Sequence, residues 1–236
     1  MKKKALVLAV AVSFVLSFIS VLNAADTLSG SVSVSGVGKY LWRGQTVSSG
    51  AALQPGFSLN VNKFTFSYWG SDHAYVGSGD SKYNESDYTV GFADTVPGLS
   101  LLTMKSGFTM YTFPYTPVPK NNSQELYGGL TANTMLSPYL SYYYDPVLGK
   151  GAYAEAGITQ SFAFGDFGVS GLLTGGYNFG QWGYSSSFTD LGLTVGVSYT
   201  IAGIFINPSV FWQIPLDSQY VNTAIGQLSV TYNFGS

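Results

Sequence analysis

The sequence predicts an all-β protein: a closed antiparallel transmembrane β-barrel of about twelve strands, with short periplasmic turns and longer extracellular loops. Three observations lead there. Charged residues make up only 9% of the chain, against 16% aromatic and 46% hydrophobic, whereas a soluble domain carries about 25% charged residues. Apolar residues recur with period two in segments of about ten. Short and long connections between those segments alternate along the whole chain.

The first segment reads as an address, separate from the fold. Lys2, Lys3 and Lys4 precede the apolar run Ala5 to Leu22, and Leu22-Asn23-Ala24 offers a small-residue cleavage site before Ala25. This is the pattern of a Sec-type signal peptide over 1–24, leaving 25–236 as the barrel. The rival reading is a retained anchor, because the run is long enough to span a bilayer. Three of the ten Lys and Arg residues fall in this leader while all twelve Asp and Glu lie beyond it. The remainder is acidic, which argues against nucleic acid as a partner.

Beyond Asp26 no other apolar run is long enough for a membrane helix. Strands are expected over 29–42, 54–61, 64–71, 85–94, 99–111, 124–132, 134–144, 152–163, 167–178, 188–200, 204–213 and 224–234. Short turns fall at Asn62-Lys63, Thr95–Gly98, Asn133, Gly165-Asp166 and Ala202-Gly203. The longer connections are Gly44–Leu53, Asp72–Asn84, Thr112–Ser123, Asp145–Gly151, Phe179–Ser187 and Ile214–Thr223. An antiparallel meander of this kind is the outer-membrane pattern.

Alternation assigns the faces. Leu191, Leu193, Val195, Val197 and Tyr199 alternate with Asp190, Gly192, Thr194, Gly196 and Ser198. The set at 224–234 behaves alike, with Leu228, Val230, Tyr232 and Phe234 against Gln227, Ser229, Thr231 and Asn233. Gly, Ser, Thr and Asn cannot fill a dry core at native density. They suit a wet lumen, so the bulky set faces lipid. Closure follows, because an open edge in lipid leaves backbone groups unpaired. Twelve strands ~4.8 Å apart and tilted ~40° enclose a lumen of roughly 10 Å once side chains are added. Tyr232 and Phe234 also resemble the C-terminal signature that outer-membrane barrels present to their assembly machinery. The trailing Gly235-Ser236 departs from it.

Several segments together resemble the TorF-family porins of proteobacterial envelopes. They are Tyr40-Leu41-Trp42-Arg43-Gly44-Gln45 with Ser48 and Ala52-Leu53-Gln54, then Glu85-Ser86-Asp87-Tyr88, Glu125-Leu126-Tyr127-Gly128-Gly129-Leu130, the Tyr-rich Ser141–Asp145, and Tyr153-Ala154-Glu155-Ala156-Gly157. Ala51 stands where that family usually has Pro. The resemblance implies an outer-membrane barrel with a channel role and no established substrate.

The functional candidates are the charges inside strands. Parity points Arg43, Glu85, Asp87, Lys105, Glu125, Glu155 and Asp190 into the lumen, since a lipid-facing charge near the midplane costs about 2–4 kcal/mol. Counting from the short turns sets Asp87, Lys105 and Glu125 at one height on adjacent strands, with the lysine between the carboxylates and Arg43 topping the first strand. Such a cluster either braces the wall or forms a selectivity constriction. With no Cys and His73 as the single histidine, no cofactor, metal site or catalytic residue is expected. Asp72, His73 and Asp80 lack metal-ligand spacing, and no nucleophile motif accompanies His73, so the chain is expected not to be an enzyme. The expected function is a narrow porin in a Gram-negative outer membrane, passing small ions or polar solutes by diffusion. Its partners are outer-membrane lipid, the barrel-assembly machinery and those solutes. The alternative is a non-conducting barrel serving as scaffold or receptor.

Overall fold

The computed structural model describes residues 28–73, 84–115 and 119–235. The leader 1–24 with its cleavage site, Asp80 and most of the connection 72–84 lie outside the described residues, as does the side chain of His73. The strands are β1 Leu28–Val37, β2 Tyr40–Trp42, β3 Gln45–Ser48, β4 Ala52–Val61, β5 Phe64–His73, β6 Glu85–Val96, β7 Leu99–Thr112, β8 Asn122–Ala132, β9 Tyr139–Asp145, β10 Gly151–Phe164, β11 Phe167–Phe179, β12 Ser187–Ile201, β13 Ile204–Pro215 and β14 Thr223–Gly235. Twelve of them close into one barrel, in the order β1-β14-β13-β12-β11-β10-β9-β8-β7-β6-β5-β4 and back to β1. Every neighbouring pair is antiparallel.

The faces fall as the alternation requires. Leu191, Leu193, Val195, Val197 and Tyr199 stand exposed on the outer wall, as do Val32, Val34, Tyr88, Val90, Leu228 and Tyr232. The largest fully buried side chains are all polar: Gln181, Gln213, Glu125, Asn178, Thr189, Asp145, Ser123 and Ser141. A water-soluble fold buries its apolar set. This barrel presents that set to lipid and buries hydroxyls, amides and carboxylates inside. The inner groups are held in hydrogen-bonded pairs. Ser123 Oγ donates to Asp145 at 2.7–2.8 Å, and the Gln181 backbone N–H donates to Asn178 Oδ1 at 2.6 Å.

The short turns obey backbone rules. Val61 pairs with Phe64 across Asn62-Lys63, with Asn62 at φ 55°. Ile201 pairs with Ile204 across Ala202-Gly203, both at positive φ. Such tight loops match the right-handed twist of the flanking strands. One short turn is longer than expected. The turn expected at Asn133 extends to Pro138, and β9 begins at Tyr139. Proline cannot donate to the ladder, and Ser137 bonds back to the Thr134 carbonyl at 3.0 Å, so pairing starts five residues later than expected, at Tyr139.

The first strand is the larger correction. The expected strand 29–42 leaves the wall after Val37, where Gly38 N–H bonds the Gly226 carbonyl at 3.1 Å. The chain then folds inward as the small hairpin β2–β3, which pairs only with itself. Its turn is Arg43-Gly44, flanked by the pair Trp42↔Gln45, with φ 50° and 81°. Two positive φ values are the requirement of a primed two-residue hairpin turn. Gly44 meets it freely, and a Cβ there would lie 3.0 Å from Asp190 Oδ1 and from Tyr220.

Candidate functional site

The inward hairpin lies across the lumen. Lys39 Nζ donates to Thr223 Oγ1 on β14 at 3.2 Å. Tyr40 packs on Trp69 of β5, and its hydroxyl donates to Glu85 Oε2 on β6 at 2.9 Å. On the opposite wall, Gln213 Nε2 of β13 donates to the Gly44 carbonyl at 2.9 Å. The hairpin is thus tied to at least four strands that are remote in sequence.

Its tip carries the central contact. Arg43 Nη1 and Nη2 donate to Glu125 Oε2 and Oε1 of β8 at 2.6 and 2.8 Å, a bidentate fork. Nη1 also donates to Gln181 Oε1 at 2.9 Å. The guanidinium lies 4.1 Å from the Tyr143 ring centre, 4.3 Å from Trp42 and 4.9 Å from Tyr153. Planar stacking and forked hydrogen bonding are what arginine supplies and lysine does not. Glu125 is 1% exposed and accepts two further bonds, from Tyr111 hydroxyl at 2.8 Å and Gln181 Nε2 at 3.1 Å. That many donors, one of them charged, fix the position of the buried carboxylate. Gln181 arrives from the one-turn helix Gln181–Gly183, whose Trp182 meets Trp42 and Phe113 edge-on, both at 6.1 Å.

All seven charges expected in the lumen occupy the inner side of the barrel, but they do not form the expected constellation. Arg43 sits on the hairpin tip and not on the first strand. Lys105 does not sit between Asp87 and Glu125, so the basic partner of Glu125 is Arg43. The registers explain the difference. Asp87 pairs with Tyr111, and Glu125 pairs with Thr109, while Lys105 pairs with Ala93 and Gly129. Lys105 is thus four residues below Thr109, roughly 13 Å along the strand. An irregularity between Thr95 and Val96 shifts the β6–β7 register, which counting from the turn does not capture.

The same registers place Lys105 in a different row. Lys105 pairs with Gly129, Gly129 with Ser141, and Ser141 with Glu155, so one cross-strand row joins β7 to β10. Lys105 Nζ lies 5.6 Å from the Tyr139 ring centre, and Tyr139 hydroxyl donates to Glu155 Oε1 at 2.7 Å. Glu85 and Asp87 share the inner face near the top of β6, with Asp87 Oδ1 buried and without a hydrogen-bond partner among the described residues. Asp190 faces inward by alternation, and a bulge brings Thr189 in beside it: Gly175 pairs with Leu191 and Tyr177 with Phe188, leaving Thr189 and Asp190 opposite Gly176. One extra residue lets both side chains turn toward the hairpin. Among the described residues the ion pairs are Arg43–Glu125 and the exposed Lys63–Asp94.

Among the described residues, cavities flank the hairpin. One, of about 330 Å³, is lined by Lys39, Tyr40, Gln54, Trp69, Phe211 and Gln227, among others. The larger, about 530 Å³, is bounded by Arg43, Lys105, Glu125, Glu155, Tyr127 and Tyr143 together with Thr89 and Thr109. Gln181, Tyr143 and Tyr153, which hold Arg43, and Trp182, which packs on Trp42, lie beyond the charges that the sequence singles out. The available signal was local: Arg-Gly between Trp42 and Gln45 is a two-residue turn pair, and Gly38-Lys39 interrupts the alternation before it.

No family model matches the chain, and no curated protein matches it. Solved structures do match, at low identity. The KdgM porin is 17% identical, with 86% of this chain and 99% of that chain covered and a TM-score of 0.58. An outer membrane channel from Pseudomonas putida F1 is 8% identical, with 90% and 97% covered and a TM-score of 0.58. LpxR from Salmonella typhimurium is 10% identical, with 86% and 99% covered and a TM-score of 0.54. The chain is an outer-membrane β-barrel with a fold common to several bacterial porin, channel and enzyme families; the likeness is not specific to the TorF family. The expectation that the chain is not an enzyme is corrected by the same finding. LpxR is a lipid hydrolase and shares this fold at a level comparable to the porins, so the architecture gives no ground for excluding catalysis.

Proposed function

We propose that the protein is a narrow outer-membrane channel for small ions and polar solutes, constricted by the hairpin β2–β3. The observation that carries this reading is the cavity of about 530 Å³ beside the hairpin tip, walled by charged, hydroxyl and phenolic groups. A barrel built only as a scaffold has no need of a polar hollow of this size. Rings of charged side chains set which ions pass such a constriction. The motif likeness to the TorF-family porins and the fold shared with the KdgM porin support the same role. Residues 1–24 act as the export signal in this reading, and Tyr232 and Phe234 as the element offered to the assembly machinery. The Phe234 ring stacks on Phe57 at 6.5 Å and overlies Gly30, so it also seals the β1–β14 seam.

A second reading has its own support. The fork from Arg43 to Glu125 holds the hairpin across the lumen, and Tyr111 and Gln181 brace that carboxylate, as a non-conducting scaffold or receptor would require. Planar-bilayer conductance separates the two, comparing the native chain with one whose residues 40–48 are replaced by a short Gly-Ser link. A channel conducts in both forms, more in the second. Conductance in the second alone identifies a plugged barrel, and conductance in neither refutes the channel.

A further inference from the structure

Lys105 and Glu155, the two ends of the row Lys105–Gly129–Ser141–Glu155, line the same cavity as the Arg43–Glu125 contact but take no part in that contact. Gly129 makes the row continuous. A Cβ there would lie 2.8 Å from Lys105 Cε and 3.0 Å from Ser141 Oγ, so the lysine stem lies flat along the wall toward Ser141. Ser141 itself is fully buried behind that stem, so the charged ends of the row are what a solute meets. Neither Lys105 nor Glu155 forms an ion pair among the described residues. Through Tyr139, which contacts the ammonium at 5.6 Å and the carboxylate at 2.7 Å, the two charges are bounded at roughly 11 Å apart.

The geometry points to a binding site for small zwitterions of the α-amino-acid kind, resting on the channel reading above. The solute carboxylate meets Lys105 and its ammonium meets Glu155. A solute with its charges about 3 Å apart and one charge-assisted bond of about 2.8 Å at each end spans roughly 9 Å, within that bound. A simple anion at Lys105 faces Glu155, and a simple cation at Glu155 faces Lys105, so each meets one like charge. A dipolar solute meets none. Arg43 and Glu125 border the same cavity but neutralise each other through their fork. The row therefore sets the charge pattern that a passing solute experiences.

The test uses purified full-length protein in liposomes, with glycine as the zwitterion and glycerol as the neutral reference. Variants are Lys105→Gln, Glu155→Gln and the exchange Lys105→Glu with Glu155→Lys, each checked for heat-modifiable mobility. The native protein should admit glycine faster relative to glycerol than either single variant does. Each single variant should lose about fivefold, the worth of one solvated ion pair, and the exchanged pair should recover most of it. Glycerol entry with an unchanged glycine ratio in all variants overturns the site and leaves the channel standing. No entry of either solute overturns the channel, and glycine titration followed by NMR then judges the site alone. Shifts in the native protein that vanish in both single variants sustain it, and their absence overturns it. The single glutamine variants keep the test decisive if the exchanged protein fails to fold.

Discussion

Replacement of Glu125 by alanine should free the hairpin while leaving the barrel wall closed. Glu125 accepts four hydrogen bonds, two from Arg43 at 2.6 and 2.8 Å, one from Tyr111 at 2.8 Å and one from Gln181 at 3.1 Å. Its removal strands a buried guanidinium among aromatic rings, and breaking one side of a buried ion pair costs about 3–5 kcal/mol. The wall does not bear this cost, because each of its strands is paired on both sides. The hairpin does, since β2–β3 pairs only with itself and an isolated two-stranded ribbon is marginal in water. At 1.4 kcal/mol per tenfold, the open population rises by about a hundredfold to a few thousandfold. Amide hydrogen exchange across 40–48 is the assay, and protection should fall there by that factor while β10–β12 stay unchanged. Loss of protection below about tenfold, or equal loss across all strands, refutes the reasoning. The double change Arg43→Met with Glu125→Leu should recover most of the protection, because removing both charges leaves nothing stranded.

Further outcomes follow from the same geometry. Gly44→Ala forces a side chain into φ 81° against Asp190 and Tyr220, which costs about 1–2 kcal/mol; hairpin protection should fall roughly tenfold by the same exchange measurement. Leu193→Arg places a charge mid-strand on the lipid face and should destabilise the barrel by about 2–4 kcal/mol in equilibrium unfolding from bilayers, and a change under ~0.5 kcal/mol contradicts the face assignment. The mature protein should fractionate with the outer membrane and run with heat-modifiable mobility; recovery as a soluble periplasmic protein overturns the architecture. Cysteines at Asn133 and Ala202 should resist an impermeant reagent on intact cells while one at Gln219 reacts, and the opposite pattern inverts the topology.

Strand order, the inner and outer faces, and the side on which each connection lies were determined by the sequence itself. These are local properties. A strand repeats every two residues, so the alternation of Leu191–Tyr199 with small polar partners names the lipid face before any neighbour is known. Lys105 pointed inward on the same ground, and the structure keeps it there. Chain closure needed no long-range information either, because lipid forbids an open edge.

Only the tertiary structure decided which charges meet. Alternation gives a residue's face but not its height, and height depends on register. The irregularity at Thr95/Val96, the long turn ending at Pro138 and the bulge at Thr189-Asp190 each move one strand against the next. Lys105 thereby left Glu125 and joined the row of Glu155. The hairpin is the deeper case. Arg43-Gly44 was visible as a turn pair, yet nothing local says that a turn folds into the barrel. The inward course is set by partners on β6, β8 and β13: Glu85 for Tyr40, Glu125 for Arg43, and Gln213 for the Gly44 carbonyl. These lie between 45 and 169 residues away in sequence, and only closure of the barrel brings them to one point.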